Sequence, residues 1–357
     1  MRILFDIGHP AHVHYFKNLN LEIISKGHKS IFVARDKEVT IDLLRKYKID
    51  FICRGKGGTT LLGKLFYLFK ANMIIMKTAL KFKPDIFISF ASPYAAQVSW
   101  MMLKPHISFT DTEHAKLGNI AFIPFTTNIL TPSCFNKVIS KKQIKFDGYM
   151  ELSYLHPNYF TPDKNIFDLL DITPDEKYVI LRFVSWEATH DIGHSGLDYN
   201  SKVTIVKELS KITKVFISSE VELVGELKEY QLKIPPERIH DVLAYATLFV
   251  GEGATMASEC ACLGTPAIYV NSLEVGYCAE EENKYNLIYC YRNSEGVLEK
   301  AKELLLTTDI KKQFRIYCLN MLAEKINVTE FMVWFVENYP KSETIMKNNP
   351  DYQFKFK

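Results

Sequence analysis

The sequence predicts an α/β protein made of two doubly wound domains, and three observations lead there. Short apolar runs alternate with amphipathic runs of helical period through the first 150 residues, and the same alternation restarts after residue 176. A polar stretch holding Pro157, Pro162 and Pro174 separates the two series. The chain has 357 residues, 47% of them hydrophobic, which is long for one core and comfortable for two. The expected division is a first domain at 1–150, a linker at 151–176, a second domain at 177–340 and a C-terminal tail at 341–357.

Each element follows from pattern and punctuation. Residues 3–6 form a short apolar strand, and 12–26 a helix with Phe16, Leu19 and Ile23 on one face, stopped by Gly27. A strand at 29–34, a helix capped by Asp36 and reaching about Tyr47, and a strand at 50–53 come next. A long amphipathic run covers 60–82, then a buried strand at 85–89, a helix at 93–102 and strands at 106–109 and 128–131. The second series opens with a strand at 178–184, a helix at 200–211, a strand at 214–218 and a helix begun by Ser219 and Glu220. It continues with a strand at 247–250, a helix at 255–263, a strand at 267–270 and helices near 294–305, 309–321 and 329–337. Such alternation implies parallel sheets covered by helices on both faces, with ligands beyond the carboxyl ends of the strands.

Composition narrows the function classes. Asp6 follows only three apolar residues, which argues against a secretory signal, and no run of about 18 uncharged apolar residues suggests a membrane span. Seven cysteines, odd in number and irregular in spacing, fit reduced thiols and a cytoplasmic setting. Cys260 and Cys262 form a lone pair without matching ligands, and no Asp-x-Asp motif occurs, so neither a metal nor a resident cofactor is expected. The net charge of +3 hides an asymmetry: residues 1–150 carry 22 Lys and Arg against 10 Asp and Glu, and the remainder has an excess of acids. No acid occurs between Asp50 and Asp85, where Arg54 and six lysines interleave with Leu, Phe, Met and Ile. Residues 54–83 thus read either as a peripheral contact with anionic membrane or as a core helix whose lysines snorkel to water. Neither a zinc finger nor an aromatic RNA-binding motif accompanies the basic charge, so no nucleic-acid partner is expected.

The most informative segment is 251–266. It reads as a Gly251-Glu-Gly253 turn after a strand, a helix, then Gly264-Thr-Pro266 before the next strand. Gly251 and Gly253 permit close backbone approach. The amides of Gly253, Ala254 and Thr255 would crown a helix N-terminus, a natural seat for a diphosphate. Glu259 lies one turn after Thr255, either holding ribose hydroxyls or standing as a solvated helix acid.

This segment resembles the donor-site motif of GT-B enzymes. Both the lipid-linked peptidoglycan N-acetylglucosaminyltransferases and the non-hydrolysing UDP-N-acetylglucosamine 2-epimerases carry a Gly/Ser turn, a Glu one helical turn on, and Gly-x-Pro. The N-terminal Asp6-Ile-Gly8-His9-Pro10-Ala11-His12, with Gly27-His28 at the helix end, is similar to the first strand–loop–helix of that transferase. The combined pattern also resembles an uncharacterised GT-B-like family of surface-polysaccharide loci. The resemblance implies two Rossmann-like domains facing across a cleft, the first for a lipid-linked or glycan acceptor and the second for a UDP-linked nucleotide-sugar. It implies that Glu259 holds the ribose, that Gly8 lines the donor, and that His240, in Ile239-His-Asp-Val-Leu, marks where the base lies.

The remaining candidates follow strand ends. His12 suits general-base work, since a neutral imidazole is available near pH 7; the bland alternative is a ring satisfying a loop carbonyl. Asp111 and Glu113, after the strand at 106–109, resemble an epimerase strand end and serve as acid/base or acceptor ligands, or as a polar loop with a helix cap. Arg182 is a lone cation at a strand end, placed for a phosphate or for an ordinary salt bridge. Trp186 stacks on a sugar or packs between domains, and 218–220 lines the same edge. The Gly-Gly-Ser phosphate turn of the transferase is absent.

Overall fold

The computed structural model describes residues 1–58, 60–114, 116–183, 197–219 and 222–357. They form two compact units, one of Met1–Tyr154 with Lys325–Lys357, the other of Leu155–Glu324.

The first unit alternates as its sequence pattern directs: β1 Arg2–Ile7, α1 Pro10–Ser25, β2 Lys29–Ala34, α2 Thr40–Lys46, β3 Phe51–Cys53, α3 Leu61–Phe82, β4 Ile86–Phe90, α4 Pro93–Met101, β5 His106–Phe109, α5 Lys116–Phe122, β6 Asn128–Pro132 and β7 Gln143–Phe146, ending near the short α6 Leu152–Leu155. The strands make one parallel sheet in the order β3-β2-β1-β4-β5-β6-β7. Winding starts at β1, runs outward to β3, then returns to the other side of β1 at β4. That reversal opens a crevice at the carboxyl ends of β1 and β4. The sheet is apolar on both faces because helices cover both. From α3, Ile75 and Ala79 pack on Leu4, Val33, Phe87 and Val98.

The second unit holds α7 Ile166–Leu170, β8 Tyr178–Phe183, α8 Tyr199–Ser210, β9 Lys214–Ser219, α9 Ile239–Tyr245, β10 Leu248–Gly251, α10 Ala254–Leu263, β11 Ala267–Val270, α11 Gly276–Asn283, β12 Ile288–Tyr291, α12 Val297–Leu306 and α13 Ile310–Glu324. Its parallel sheet has the order β12-β11-β10-β8-β9, so the reversal falls between β8 and β10.

The chain then returns to the first unit with α14 Val328–Glu337 and α15 Lys341–Asn348. Residues 325–340 therefore do not complete the second domain as expected. Lys325 pairs with Asp147 at 2.7 Å, Thr329 donates to the Ser153 carbonyl at 2.6 Å, and the Phe331 ring stacks 5.9 Å from Phe146. Nor is 341–357 a loose tail: after α15 a 3-10 segment at Pro350–Phe356 lays Tyr352 against Trp334, ring centroids 4.8 Å apart. Of the expected linker, 155–176 is built into the second unit, where Asp163 N–H donates to Asp241 at 2.8 Å and Phe167 meets the Tyr245 ring at 4.9 Å.

Smaller departures have local causes. Strands β7 and β12 escaped the sequence pattern because both are four-residue edge strands with polar or half-buried faces. Asp36 does not cap α2, which begins at Thr40 after Val39; the Asp36 amide instead donates to the Gly55 carbonyl at 3.1 Å. Ser219 closes β9 rather than opening a helix. Among the described residues no helix is long and apolar enough to cross a membrane.

Candidate functional sites at the two sheet reversals

In the second unit the reversal brings together the ends of β8 and β10. Gly251 pairs directly with Arg182 across the two strands. A Cβ at Gly251 would lie 2.7 Å from both the Arg182 Cβ and the Phe249 ring, so the neighbouring chain already fills the space left by the missing side chain. Strand packing alone thus demands a glycine at this position. Gly253 is the N-cap of α10, with φ −94° and ψ 113°, and the helix ends at Gly264 in the left-handed region at φ +70°. The first-turn amides of Ala254 and Thr255 have no acceptor within the helix. They and the helix dipole present positive potential beyond β10, as an anion requires.

Arg182 and Ser218 end adjacent strands, and Arg182 Nη1 donates to Ser218 Oγ at 3.1 Å. The guanidinium thus stands at the same sheet edge as the α10 N-terminus, where the sequence placed a phosphate ligand. Residues 184–196, Trp186 among them, and Glu220 lie outside the described residues.

Glu259 is buried, which rules out a solvated helix acid. Its Oε1 is 2.9 Å from Nε2 of His240, itself 2% exposed, and the ring N–H donates to the carboxylate. His240 comes from α9, with its ring edge-on to Phe160 at 6.1 Å. Position 240 therefore supplies a side chain that orients Glu259, where the sequence reading gave it a location without a chemical part. Next to it in the helix, Ser258 Oγ donates to the buried Glu281 at 2.6 Å and ties α10 to α11.

Glu252, inside the glycine turn, was missed. It is 2% exposed; one carboxylate oxygen accepts the Leu197 N–H at 2.8 Å and the other meets Lys202 at 3.0 Å. Its amide donates to the Arg182 carbonyl at 3.2 Å. The acid thus binds the start of α8 to the end of β8 and holds the turn rigid. The available signal was an acid set between two glycines directly after an apolar strand.

In the first unit the reversal joins the ends of β1 and β4. His9 caps α1, its Nδ1 accepting from Ala11 N–H at 3.2 Å, and Pro10 takes the first helical position. His12 therefore lies within the first turn rather than opening the helix. Its ring packs 4.8 Å from Phe90 at the end of β4. Burial, then the charges of His9, Lys37 and Arg54, push its pKa well below the usual value, so the ring is neutral at pH 7. Nδ1 accepts the Gly8 N–H at 3.3 Å, which leaves the hydrogen of the neutral ring on Nε2. The outer edge of His12 is then a donor. A Cβ at Gly8 would make only ordinary contacts, 3.8 Å from Arg54 Nη2 and the His12 ring, so the fold does not itself demand glycine there.

Beneath this loop lies a buried polar cluster. Arg54 Nε donates to Asp6 Oδ1 at 3.1 Å and Nη1 to Tyr67 OH at 2.7 Å, with the guanidinium 4.5 Å over the Tyr94 ring. Ser92 also donates to Asp6. Arg54 is thus removed from the exposed basic stretch to which its sequence position assigned it. Its ion pair with Asp6 satisfies both charges inside the unit, where either alone would be costly.

Asp111 and Glu113 follow β5, one strand beyond β4, at the same carboxyl edge. Both are buried. Glu113 Oε1 accepts the Asn136 N–H at 2.6 Å and its carbonyl accepts from Lys137 at 3.2 Å, so this acid braces a neighbouring loop. Asp111 accepts from Thr112 Oγ1 at 3.1 Å, and burial pushes its carboxyl up to about 6. A carboxylate near 6 is poised to take a proton at neutral pH.

The architecture has solved counterparts. A UDP-GlcNAc 2-epimerase from Neisseria meningitidis bound to UDP-GlcNAc aligns over 94% of this chain and 99% of its own, with TM-score 0.66 and 10% identity. The MnaA–UDP structure from S. aureus aligns over 96% and 97%, with TM-score 0.65 and 13% identity. A Streptomyces glycosyltransferase aligns over 95% and 100%, with TM-score 0.59 and 12% identity. At such identities the likeness shows the fold, which is GT-B: α/β, with two Rossmann-like units. An uncharacterized protein of Methanocaldococcus jannaschii is 26% identical over 279 residues, which span 74% of this chain and 80% of that protein. Residues 1–285 match the family described as "Protein of unknown function (DUF354)", and the chain belongs to that family.

Proposed function

We propose that this protein is a metal-independent GT-B glycosyltransferase. It moves a sugar from a nucleoside-diphosphate donor, UDP-linked, to a hydroxyl of a lipid-linked or glycan acceptor at the cytoplasmic face of a membrane, in surface-polysaccharide synthesis. The observation that carries the reading is the set of groups at the β8/β10 reversal: an open helix N-terminus at Gly253–Thr255, the Arg182 guanidinium at the same edge, and a buried Glu259 oriented by His240. The first two suit a diphosphate, and the third suits a vicinal diol such as a ribose.

In this reading the amides and Arg182 take up negative charge as the diphosphate departs. Asp111 removes the proton of the acceptor hydroxyl, a role its raised pKa favours over Glu113, which is committed to Asn136. His12 donates a hydrogen bond from Nε2 and serves as the alternative base only if its Gly8 contact is released. The donor acts without a divalent ion, since the sequence has no Asp-x-Asp motif to hold one.

A second reading is a nucleotide-sugar 2-epimerase, favoured by the two carboxylates after β5 and by the epimerases among the structural relatives. A third is a non-catalytic nucleotide-sugar-binding protein. Incubation with UDP-sugars separates them. Nucleotide release that depends on an added acceptor supports transfer; a new epimer formed without acceptor replaces it with the second reading; tight binding with neither product leaves the third. For the site itself, Glu259→Ala is expected to weaken UDP binding about tenfold to a hundredfold in calorimetry, the loss of charged hydrogen bonds. Glu259→Gln, which keeps a partner for His240, controls for folding. An unchanged dissociation constant in the alanine variant removes Glu259 from the nucleotide site.

A further inference from the structure

Helix α3 is apolar on both sides. Tyr67, Ala71, Ile75 and Ala79, four apart, face the sheet and are buried. The opposite side carries Leu62, Leu65, Phe66, Phe69, Met73 and Leu80, all exposed; Leu62 is 79% exposed, Phe66 73% and Phe69 63%. Exposed Lys64, Lys70, Lys77, Lys81 and Lys83 interleave with them, and no acid lies between Asp50 and Asp85. Helix α4, packed beside α3, ends with exposed Trp100 and Met101; Leu103, 91% exposed, and Lys104 follow. Single exposed leucines are ordinary, but a strip of this length with phenylalanine, tryptophan and no acid is not a solvent face.

The chemistry of the strip selects its occupant. A second copy would bring two lysine rows together with no carboxylate between them. An acidic protein surface would answer the lysines but leave Leu62, Phe66 and Phe69 against charge. An anionic bilayer answers both, taking the apolar groups at the acyl boundary and the lysines among phosphates. We propose that the outer face of α3, with the end of α4, lies flat on an anionic membrane. The helix rests on the bilayer and does not cross it. With 22 residues it spans about 33 Å along the surface. Its N-terminal end, with Leu62 and Phe66, follows the buried Arg54 cluster under the His12 loop, so the docked face lies next to the carboxyl edge of the first sheet. This deepens the acceptor half of the proposed transfer reading, and it specifies which residues touch lipid: the outer face of α3 without Arg54.

The test reads binding alone. The purified chain is sedimented at low salt with vesicles of phosphatidylglycerol mixed with phosphatidylcholine, and with phosphatidylcholine alone. Strong association with the mixed vesicles only is expected, falling as salt is added. Phe66→Asp with Phe69→Asp should reduce it at least about tenfold, as should Lys64→Glu with Lys70→Glu. These side chains are exposed, so an unchanged thermal transition is expected and checks the fold. Retained association in the Phe66→Asp/Phe69→Asp variant overturns the proposal. So does equal association with neutral vesicles, or none at all. Self-association that these substitutions abolish, without vesicle binding, would assign the strip to a second copy instead. Because no product is measured, failure of the transfer reading leaves this result intact, and a failed vesicle test leaves UDP binding and transfer to a soluble acceptor intact.

Discussion

Asp111 and Glu113 sit two residues apart and are both buried, yet their surroundings separate them. Glu113 is held by a backbone amide of another loop. Asp111 keeps a carboxyl near 6 against an ordinary 3.8 because burial penalises its charged form. The folded chain therefore binds that proton more tightly than the unfolded chain. Ionised Asp111 destabilises the fold, an effect absent below the ordinary value and complete above about 6. Asp111→Asn should accordingly raise stability by about 1–3 kcal/mol near neutral pH and change it little near pH ~4, measured by denaturant titration at both pH values. If Asp111 is the base, the same variant loses turnover and the acid limb near 6. A surviving limb with normal amplitude would move the base elsewhere, His12 first. Neither the burial of Asp111 nor the engagement of Glu113 was legible in Phe-Thr-Asp-Thr-Glu-His: burial is a property of the folded unit, and Glu113 is held by the loop at 136–137, distant in sequence.

At the scale of the element, the β10–turn–α10 unit shows what local sequence does and does not specify. The strand, the helix and its glycine stop were all readable from 247–266, because period, capping and left-handed backbone are local properties. The purpose of Gly251 was not. It answers to Arg182 on β8, a partner 69 residues away that only strand pairing brings near. Gly251→Ala should cost about 1–3 kcal/mol in denaturant titration, since the new methyl meets backbone-anchored atoms that cannot turn away. Gly8→Ala, which meets nothing closer than 3.8 Å, should be far milder. Equal losses for the two would show that the close approach at Gly251 does not set the cost. Helix α3 makes the converse point. Its sequence announced an amphipathic basic run, and the two readings of that run, membrane contact or a core helix with snorkelling lysines, differ in whether its outer apolar residues are exposed or buried.

At the scale of the molecule, the chain leaves its first unit at Tyr154 and re-enters it at Lys325. The returning segment buries Phe331, Met332, Phe335 and Val336 in that unit. Each such side chain contributes about 1.5–3 kcal/mol, together comparable to the whole stability of an ordinary domain. A chain ending at Glu324 should therefore lose hydrogen-exchange protection throughout 1–154 while keeping it in 155–324; loss confined to α1 would show that the return is only a local brace. The sequence by itself determined the α/β class, two parallel sheets, most strand and helix positions and the glycine-turn helix of the second unit, because these follow from short-range period and backbone preference. Tertiary structure alone decided the rest: the return of α14, the His240–Glu259 and Arg54–Asp6 pairs, the bracing of Glu252 and Glu113, and the exposure of Phe66 and Phe69. Each of these depends on which distant segments meet and so exclude water, and a linear pattern carries no term for that.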